Sequence, residues 1–276
     1  MRGAAIQLSP VFGELEDNRK RAARAIEEAA SLGAELVVLP ELCISGYVFA
    51  DALEARALSE HVAGETVAGW SELAAKHELT IVGGICERDE LDGLHNSAVV
   101  VDKTGLIASY RKTHLWDREQ LVFAPGTQQP PVIDTDHGRI GLAICYDSFF
   151  PEVMRGLALS GAEVIVVPMN SPVTDPPFLP VPVEVSLVIA SAAVNRVFVI
   201  QADRTRPERG VGWAEASCIV DPDGRLLAGP NHGRAVLVAD LDLGLARDKS
   251  YGERNDVLAD RRVDLYESQL PVPPVA

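Results

Sequence analysis

Cys145 is the residue of this sequence whose surroundings best suit nucleophilic chemistry. The preceding run, residues 140–144, is apolar and long enough for one buried strand. Pro151 and Glu152 follow, and both residue types are typical of the first turn of a helix. The thiol is therefore predicted at a strand-to-helix turn, where α/β proteins expose nucleophiles. Cysteine is also often a small buried core residue, and this stretch alone leaves that role open.

Two further reactive side chains occupy the same kind of position. Glu41 follows a predicted strand over 36–39, and Lys112 follows a predicted strand that ends at Tyr110. Sites in α/β proteins gather just beyond strand ends, so both side chains are expected to lie near Cys145. Taken singly, Glu41 could be a solvated loop carboxylate and Lys112 one surface lysine among many.

The elements that would position these residues form a pattern that occurs twice. The first βαβαβββ unit comprises a strand over 4–8, a helix over 17–32, a strand over 36–39, a helix over 66–77, a strand over 80–85 and a hairpin over 97–110. The second comprises a strand over 139–144, a helix over 151–160, a strand over 163–167, a helix over 183–195, a strand over 197–201 and a hairpin turning at 221–224. The amino-acid sequence also repeats, since residues 33–40 resemble residues 161–168 and residues 101–105 resemble residues 220–224. Two such units packed sheet to sheet predict an α/β fold, a four-layer α-β-β-α sandwich with an internal pseudo-two-fold repeat.

The segments around the three residues resemble those of the nitrilase superfamily, the carbon–nitrogen hydrolases. The matching segments are Leu39-Pro40-Glu41 with Gly46-Tyr47, then YRKTHL at 110–115, then GLAICYDSFFPE at 141–152. The resemblance extends over nearly the whole chain. It implies a single carbon–nitrogen hydrolase domain over 1–250 and a C-terminal tail over 251–276 that could lie at an oligomer interface.

The family's catalytic triad falls, by this resemblance, on Glu41, Lys112 and Cys145. A thiol with a pKa of about 8.5 needs a base, and Glu41 would accept its proton. Lys112 would stabilise the thiolate and the tetrahedral oxyanion, with the amide N–H of Tyr146 as a second donor. Attack on a carbonyl would give a thioester and release ammonia, and water would hydrolyse the thioester. Glu119 matches a second glutamate of amidase-type members, which implies that it positions the substrate and can share proton transfer; a solvated loop acid is the alternative.

The resemblance implies a hydrolase of small aliphatic amides that needs no cofactor. Tyr47 and Trp116 flank the catalytic segments and are expected to wall a small apolar pocket. Phe149 and Phe178 could join them or belong to the core or an interface. Asn170 follows the strand beside the cysteine strand, and the resemblance implies that its loop offers backbone carbonyls to the amide NH₂ of the substrate.

Other functions remain open at this point. An ω-amidase or an N-carbamoyl amino acid hydrolase of the β-ureidopropionase kind would need a cationic anchor for the substrate carboxylate. Four arginines are available but cannot be placed: Arg155, Arg204, Arg206 and Arg209. A nitrilase is less favoured, because nitrilases of this type usually carry tryptophan where this chain has Tyr146. A catalytically inactive member that acts as a binding protein is a different class, and the unsubstituted triad argues against it.

Composition narrows the partners and the location. The chain has 276 residues and a net charge of −15, which disfavours nucleic acid and anionic membrane surfaces. No run approaches the roughly 18 apolar residues of a membrane span. The four cysteines lack metal-type spacing and there is no glycine-rich nucleotide motif, so we predict no metal, no cofactor and a reduced, cytoplasmic protein. The resemblance implies a homodimer or a higher homo-oligomer that pairs through the helices over 151–160 and 183–195.

Overall fold

The computed structural model describes residues 1–173 and 181–266 of the chain. Its strands are β1 (Arg2–Gln7), β2 (Leu36–Val38), β3 (Thr80–Arg88), β4 (Leu94–Asp102), β5 (Gly105–Arg111), β6 (Val132–Thr135), β7 (Gly138–Leu142), β8 (Val164–Pro168), β9 (Phe198–Ala202), β10 (Cys218–Val220), β11 (Leu226–Ala228) and β12 (Ala235–Asp240). Its α-helices are α1 (Leu15–Ser31), α2 (Ala52–Ala57), α3 (Glu65–His77), α4 (Pro151–Leu159), α5 (Val183–Asn195), α6 (Leu243–Arg247) and α7 (Val263–Tyr266). Short 3-10 helices span Asp117–Leu121 and Cys145–Phe149.

The strands form two six-stranded sheets that pack face to face. Their orders are β12-β1-β2-β3-β4-β5 and β11-β10-β9-β8-β7-β6. Side chains alternate between two cores: Leu36 and Val38 of β2 lie between the sheets, whereas Val37 lies under the outer helices with residues of α1 and α3. Helices α4 and α5 pack against strands of the second sheet. These layers are the four-layer sandwich that the sequence predicts.

The two βαβαβββ units are completed by one extra edge strand each. β6 pairs antiparallel with β7, and β12 pairs antiparallel with β1, so each first strand gains a partner at the equivalent position. β12 comes from the end of the chain and therefore ties the second unit to the first sheet. β6 was not anticipated, because it has only four residues and none of them is buried.

Several predicted boundaries were wrong by a few residues. Helix α1 begins at Leu15, two residues before the predicted start, so Asp17 lies in its first turn. Strand β3 continues to Arg88, beyond its predicted end at residue 85. The region over 113–131, which lies between the two predicted units, contains the 3-10 helix over 117–121.

The described part of the tail lies along the second unit. The Val257 carbonyl accepts a hydrogen bond from Arg155 of α4 (3.2 Å). Just before the tail, Lys249 donates to the Arg196 carbonyl at the end of α5 (2.7 Å). Within 1–173 and 181–266, no helix has the length and apolar character needed to cross a membrane.

Candidate active site

The three predicted residues Glu41, Lys112 and Cys145 lie just beyond the ends of β2, β5 and β7. Glu41 and Lys112 are fully buried and Cys145 is 7% exposed, so neither Glu41 nor Lys112 is a surface residue. Asn170, just beyond β8, links Cys145 to Glu41. The Cys145 thiol lies 3.7 Å from the Asn170 carbonyl oxygen, and the Asn170 side-chain amide donates to the Glu41 carbonyl (2.8 Å). The structure thus brings the three predicted residues to the same edge of the paired sheets.

The backbone at Glu41 is held against β3 at Gly84. The Gly84 N–H donates to the Pro40 carbonyl (3.0 Å), and the Cys43 N–H donates to the Gly84 carbonyl (3.2 Å). A Cβ at position 84 would lie 2.5 Å from the Glu41 Cα, which is too close for any side chain. Glycine at this position therefore lets β3 run directly beneath Glu41.

Lys112 joins two carboxylates in a buried cluster. Its Nζ donates to Glu41 Oε1 (2.7 Å) and to Glu119 Oε1 (2.8 Å). Asn96 of β4 adds its Nδ2, which donates to Glu41 Oε1 (2.7 Å) and more weakly to Glu119 Oε1 (3.4 Å). Sequence reasoning missed Asn96, because a single polar residue at the start of a predicted hairpin gives little signal.

Glu119 is a full member of this cluster. It is 5% exposed, so the alternative of a solvated loop acid is wrong. Its Oε1 also accepts a hydrogen bond from the Tyr47 hydroxyl (2.6 Å), and its Oε2 accepts one from the Trp116 N–H (3.0 Å). The 3-10 helix over 117–121 makes the second contact possible, because it folds the side chain back onto its own first turn.

Cys145 has a backbone conformation that few residues adopt. Its φ is +46°, in the left-handed region that is costly for a residue with a side chain. Asp147 holds the turn, since its Oδ2 accepts the Ile144 N–H (3.0 Å), and Ser148 donates its hydroxyl to the Cys145 carbonyl (2.7 Å). Asp147 Oδ1 also accepts the His114 N–H (3.1 Å), which ties the cysteine turn to the segment after Lys112.

Burial and charge set the protonation states of the cluster. Burial raises the pKa of Glu41 to about 7, against the attraction of Lys112. Burial alone would lower the pKa of Lys112, but Glu119 and Glu41 outweigh it and raise that pKa well above its usual value. Burial also raises the pKa of Cys145 well above that of an ordinary thiol, with Glu41 adding to the effect and Lys112 opposing it. The resting cysteine is therefore a thiol, and the nearby base that could accept its proton is Glu41.

The second carboxylate oxygen of Glu41 is free to accept the thiol proton. Glu41 Oε2 is buried and has no hydrogen-bond partner within 1–173 and 181–266. An unpaired buried carboxylate oxygen is costly unless a proton or a ligand reaches it. This oxygen is therefore the natural proton acceptor of the cluster.

A cavity of about 250 Å³ opens beside the cluster. Its lining residues are Tyr47, Val48, Phe49, Trp116, Asp117, Arg118, Glu119, Val122, Phe123, Pro172, Val211 and Trp213. Trp116 packs edge-on against Tyr146, the residue after the cysteine, with ring centroids 4.8 Å apart. Phe149 contacts the Tyr146 ring (5.4 Å), whereas Phe178 lies outside the described residues. Trp213 was not anticipated, because it stands far from every motif.

The four arginines considered as anchors have other surroundings. Arg204 is fully buried against Glu208, Arg209 pairs with Glu54, Arg155 donates to backbone carbonyls, and Arg206 is exposed. The cation in the cavity wall is Arg118. Over the described ranges, no three His, Cys, Asp or Glu side chains are grouped so that they could hold a metal ion.

Comparison with known proteins decides the family. Residues 2–251 match the family profile described as carbon–nitrogen hydrolase. The chain belongs to the carbon–nitrogen hydrolase family. It is 38% identical to a nitrilase of Pyrococcus abyssi, over 95% of this chain and 98% of the relative. It is 33% identical to an (R)-stereoselective amidase of a Pseudomonas species, over 99% of this chain and 96% of the relative.

A solved structure has the same fold. It is a mutant of the amidase from Nesterenkonia sp. AN1, which matches with a TM-score of 0.80 and 26% identity over 98% of this chain and all (100%) of that one. That structure shows the result of Michael addition of acrylamide at the amidase's active-site cysteine. The superfamily, the fold and the enzyme class predicted from the sequence are confirmed: the protein is a carbon–nitrogen hydrolase with the fold of nitrilase-superfamily amidases.

Proposed function

We propose that this carbon–nitrogen hydrolase cleaves small aliphatic amides to a carboxylic acid and ammonia through a thioester on Cys145. The observation that supports the proposal is the buried cluster in which Lys112 joins Glu41 and Glu119 beside the thiol. Glu41 takes the thiol proton as the sulfur attacks the amide carbon, and the C–N bond breaks when that proton passes to the leaving nitrogen. Glu41 then takes a proton from water as the water oxygen attacks the thioester, and the C–S bond breaks when that proton passes to the cysteine sulfur.

Lys112 and the residues around it stabilise the charge that develops. Because Glu119 and Glu41 raise the pKa of Lys112 well above its usual value, the ammonium form of Lys112 is favoured in the resting site. It stabilises the tetrahedral oxyanion together with the amide N–H of Tyr146. Glu119 and Tyr47 keep the ammonium in place, and the Asn170 carbonyl accepts a hydrogen bond from the amide NH₂.

The cavity wall supports an uncharged acyl group. The rings of Tyr47, Trp116 and Trp213 line it together with several valines and phenylalanines. Each methylene that such a wall removes from water is worth about 0.8 kcal/mol, or roughly a fourfold change in kcat/KM. We therefore propose that activity peaks at acyl chains of about two to four carbons.

Two other substrates have a specific observation in their favour. The relative from Pyrococcus abyssi is named a nitrilase, which makes a nitrile the second candidate. Arg118 lies in the cavity wall and donates to the Ala50 carbonyl (3.2 Å), so it could receive the carboxylate of an ω-amide or an N-carbamoyl amino acid.

Ammonia release from one panel of compounds tests the proposal. The panel contains acetamide, propionamide, butyramide, glutaramate, β-ureidopropionate and propionitrile. We expect the aliphatic amides to be the best substrates, with kcat/KM rising along the series. A preference for glutaramate or β-ureidopropionate that Arg118→Gln abolishes would replace the aliphatic proposal with the carboxylate-bearing class, and a preference for the nitrile would make the protein a nitrilase.

We also propose two features that the sequence analysis predicts. They are a single domain over 1–250 and a homo-oligomer that pairs through α4 and α5. The homo-oligomer is supported by exposed apolar side chains on these helices: Leu159, Val183 and Val194. Light scattering after size exclusion tests the oligomeric state, and a monomer at micromolar concentration would contradict the proposal. The cytoplasmic location stays a prediction that cell fractionation can check.

A further inference from the structure

A buried carboxylate of the second unit holds the backbone that carries Tyr47. Glu208 is 5% exposed, and its Oε1 accepts the N–H groups of Tyr47 (2.8 Å) and Val48 (2.7 Å). Its Oε2 accepts a hydrogen bond from Arg204 (2.6 Å), which is fully buried. Gly46 permits this approach, because its φ is +89° and a Cβ there would lie 2.9 Å from Glu208 Oε2. The contact joins segments that are about 160 residues apart.

The same segment after β9 also holds the ring of Tyr47. Trp213 packs edge-on against that ring, with centroids 5.6 Å apart and an interplanar angle of 85°. The Arg204 guanidinium lies 4.5 Å from the centroid of the Trp213 ring. Arg204 therefore connects the backbone contact at Glu208 to the ring contact at Trp213, and Tyr47 is fixed at both ends.

Tyr47 in turn contacts the catalytic cluster. Its hydroxyl and the Lys112 ammonium donate to the same oxygen, Glu119 Oε1, at 2.6 and 2.8 Å. A shift of the Tyr47 backbone would therefore change how Glu119 holds Lys112. We infer that Glu208 is a positioning residue of the active site, which acts on Lys112 through Tyr47 and Glu119. The inference rests on the proposed role of this cluster in amide hydrolysis.

Two variants and their combination test the inference. Glu208→Asp keeps a negative charge opposite Arg204 but is one methylene shorter, which withdraws the carboxylate from the two N–H groups. Tyr47→Phe removes only the hydroxyl. We expect each variant to lower kcat about tenfold, which corresponds to about 1.4 kcal/mol, with KM within about twofold of wild type because the cavity walls remain. The double variant should be about as impaired as the worse single variant, whereas independent effects would multiply to about 100-fold.

Alkylation of Cys145 by iodoacetamide gives a second measurement that needs no turnover. We expect the alkylation rate to fall in both single variants and to fall no further in the double variant. Glu163→Gln is the matched control, because Glu163 is a buried carboxylate paired with an arginine, Arg247, at the opposite end of β8. Its melting temperature should fall as in Glu208→Asp, while kcat and alkylation stay at wild-type values.

The outcomes separate this inference from the proposed function. Multiplicative losses, or wild-type kcat and alkylation in a folded Glu208→Asp protein, would overturn the positioning role. If Glu208→Asp fails to fold, Glu208→Gln takes its place. Its amide has one acceptor oxygen for two sets of donors, so we expect the same losses of kcat and alkylation rate. If the wild-type protein releases no ammonia from any amide, the proposed function fails, and the alkylation rates alone then decide whether Glu208 positions the cluster.

Discussion

Replacement of Lys112 by methionine is the sharpest test of the mechanism. The ammonium is fully buried and contacts carboxylate oxygens of Glu41 and Glu119 at 2.7 and 2.8 Å. A single oxyanion donor is typically worth about 100- to 1000-fold in kcat, and a charged donor in a shielded site at least as much. Lys112 also opposes the raised pKa of Glu41, so its loss would raise that pKa further and leave less ionised base at neutral pH. We expect kcat to fall at least about 100-fold in Lys112→Met.

The pH dependence of this loss distinguishes two roles of Lys112. If the lysine only favoured the ionised forms of Glu41 and Cys145, the deficit of the variant would shrink as the pH rises, because both groups ionise further in alkaline solution. An oxyanion contact cannot be restored in this way. In the wild-type protein the ammonium persists at high pH, because the two carboxylates raise the pKa of Lys112 well above its usual value. The deficit should therefore remain between about pH 9 and 10.

The assay is ammonia release from propionamide between about pH 6 and 10. Lys103→Met is the matched control, because Lys103 is an exposed lysine that pairs with Asp136 on the surface; it should retain wild-type activity. Circular dichroism and thermal melting must show that Lys112→Met is folded, since removal of one partner from a buried ion pair can cost about 3–5 kcal/mol of stability. Recovery of near wild-type turnover at high pH would refute the oxyanion role and leave the oxyanion to backbone donors such as Tyr146.

Three further predictions concern other members of the cluster. Cys145→Ala should abolish hydrolysis without loss of the fold, and one equivalent of iodoacetamide should modify Cys145 before the other three cysteines; peptide mapping that finds it unmodified in inactivated enzyme would contradict its role. Because Glu41 has a raised pKa of about 7 and acts only when ionised, kcat/KM should fall about tenfold per unit below about pH 7, and a flat profile down to pH 5 would exclude it as the base. Asn96→Leu removes a donor shared by two carboxylates, so kcat/KM should fall about tenfold or more in a folded variant; wild-type kinetics would show that Asn96 has no part in the reaction.

The sequence by itself determined the layers of the fold and the places of the reactive residues. Strands such as 36–39 are short apolar runs between helices with one apolar stripe, and these patterns occur twice in the same order. The repeat implied two similar sheets that bury one face against each other. Glu41, Lys112 and Cys145 each follow a strand, β2 and β5 of the first sheet and β7 of the second, and residues that follow strands of α/β sheets gather at one edge. Local patterns sufficed here because each depends on residues close together in the chain.

Only the tertiary structure decided which other residues surround Glu41, Lys112 and Cys145. Asn96 reaches Glu41 and Glu119 from β4, and it is a single polar residue without local distinction in the sequence. Glu119 was expected from the family resemblance, but its burial against Lys112 depends on how the 3-10 helix over 117–121 packs. Glu208 and Trp213 approach Tyr47 from the second unit, about 160 residues away along the chain. The raised pKa of Glu41 likewise follows from complete burial, which no single segment specifies. Such contacts and charges depend on how the two sheets pack, since packing brings together side chains that no short stretch of sequence relates.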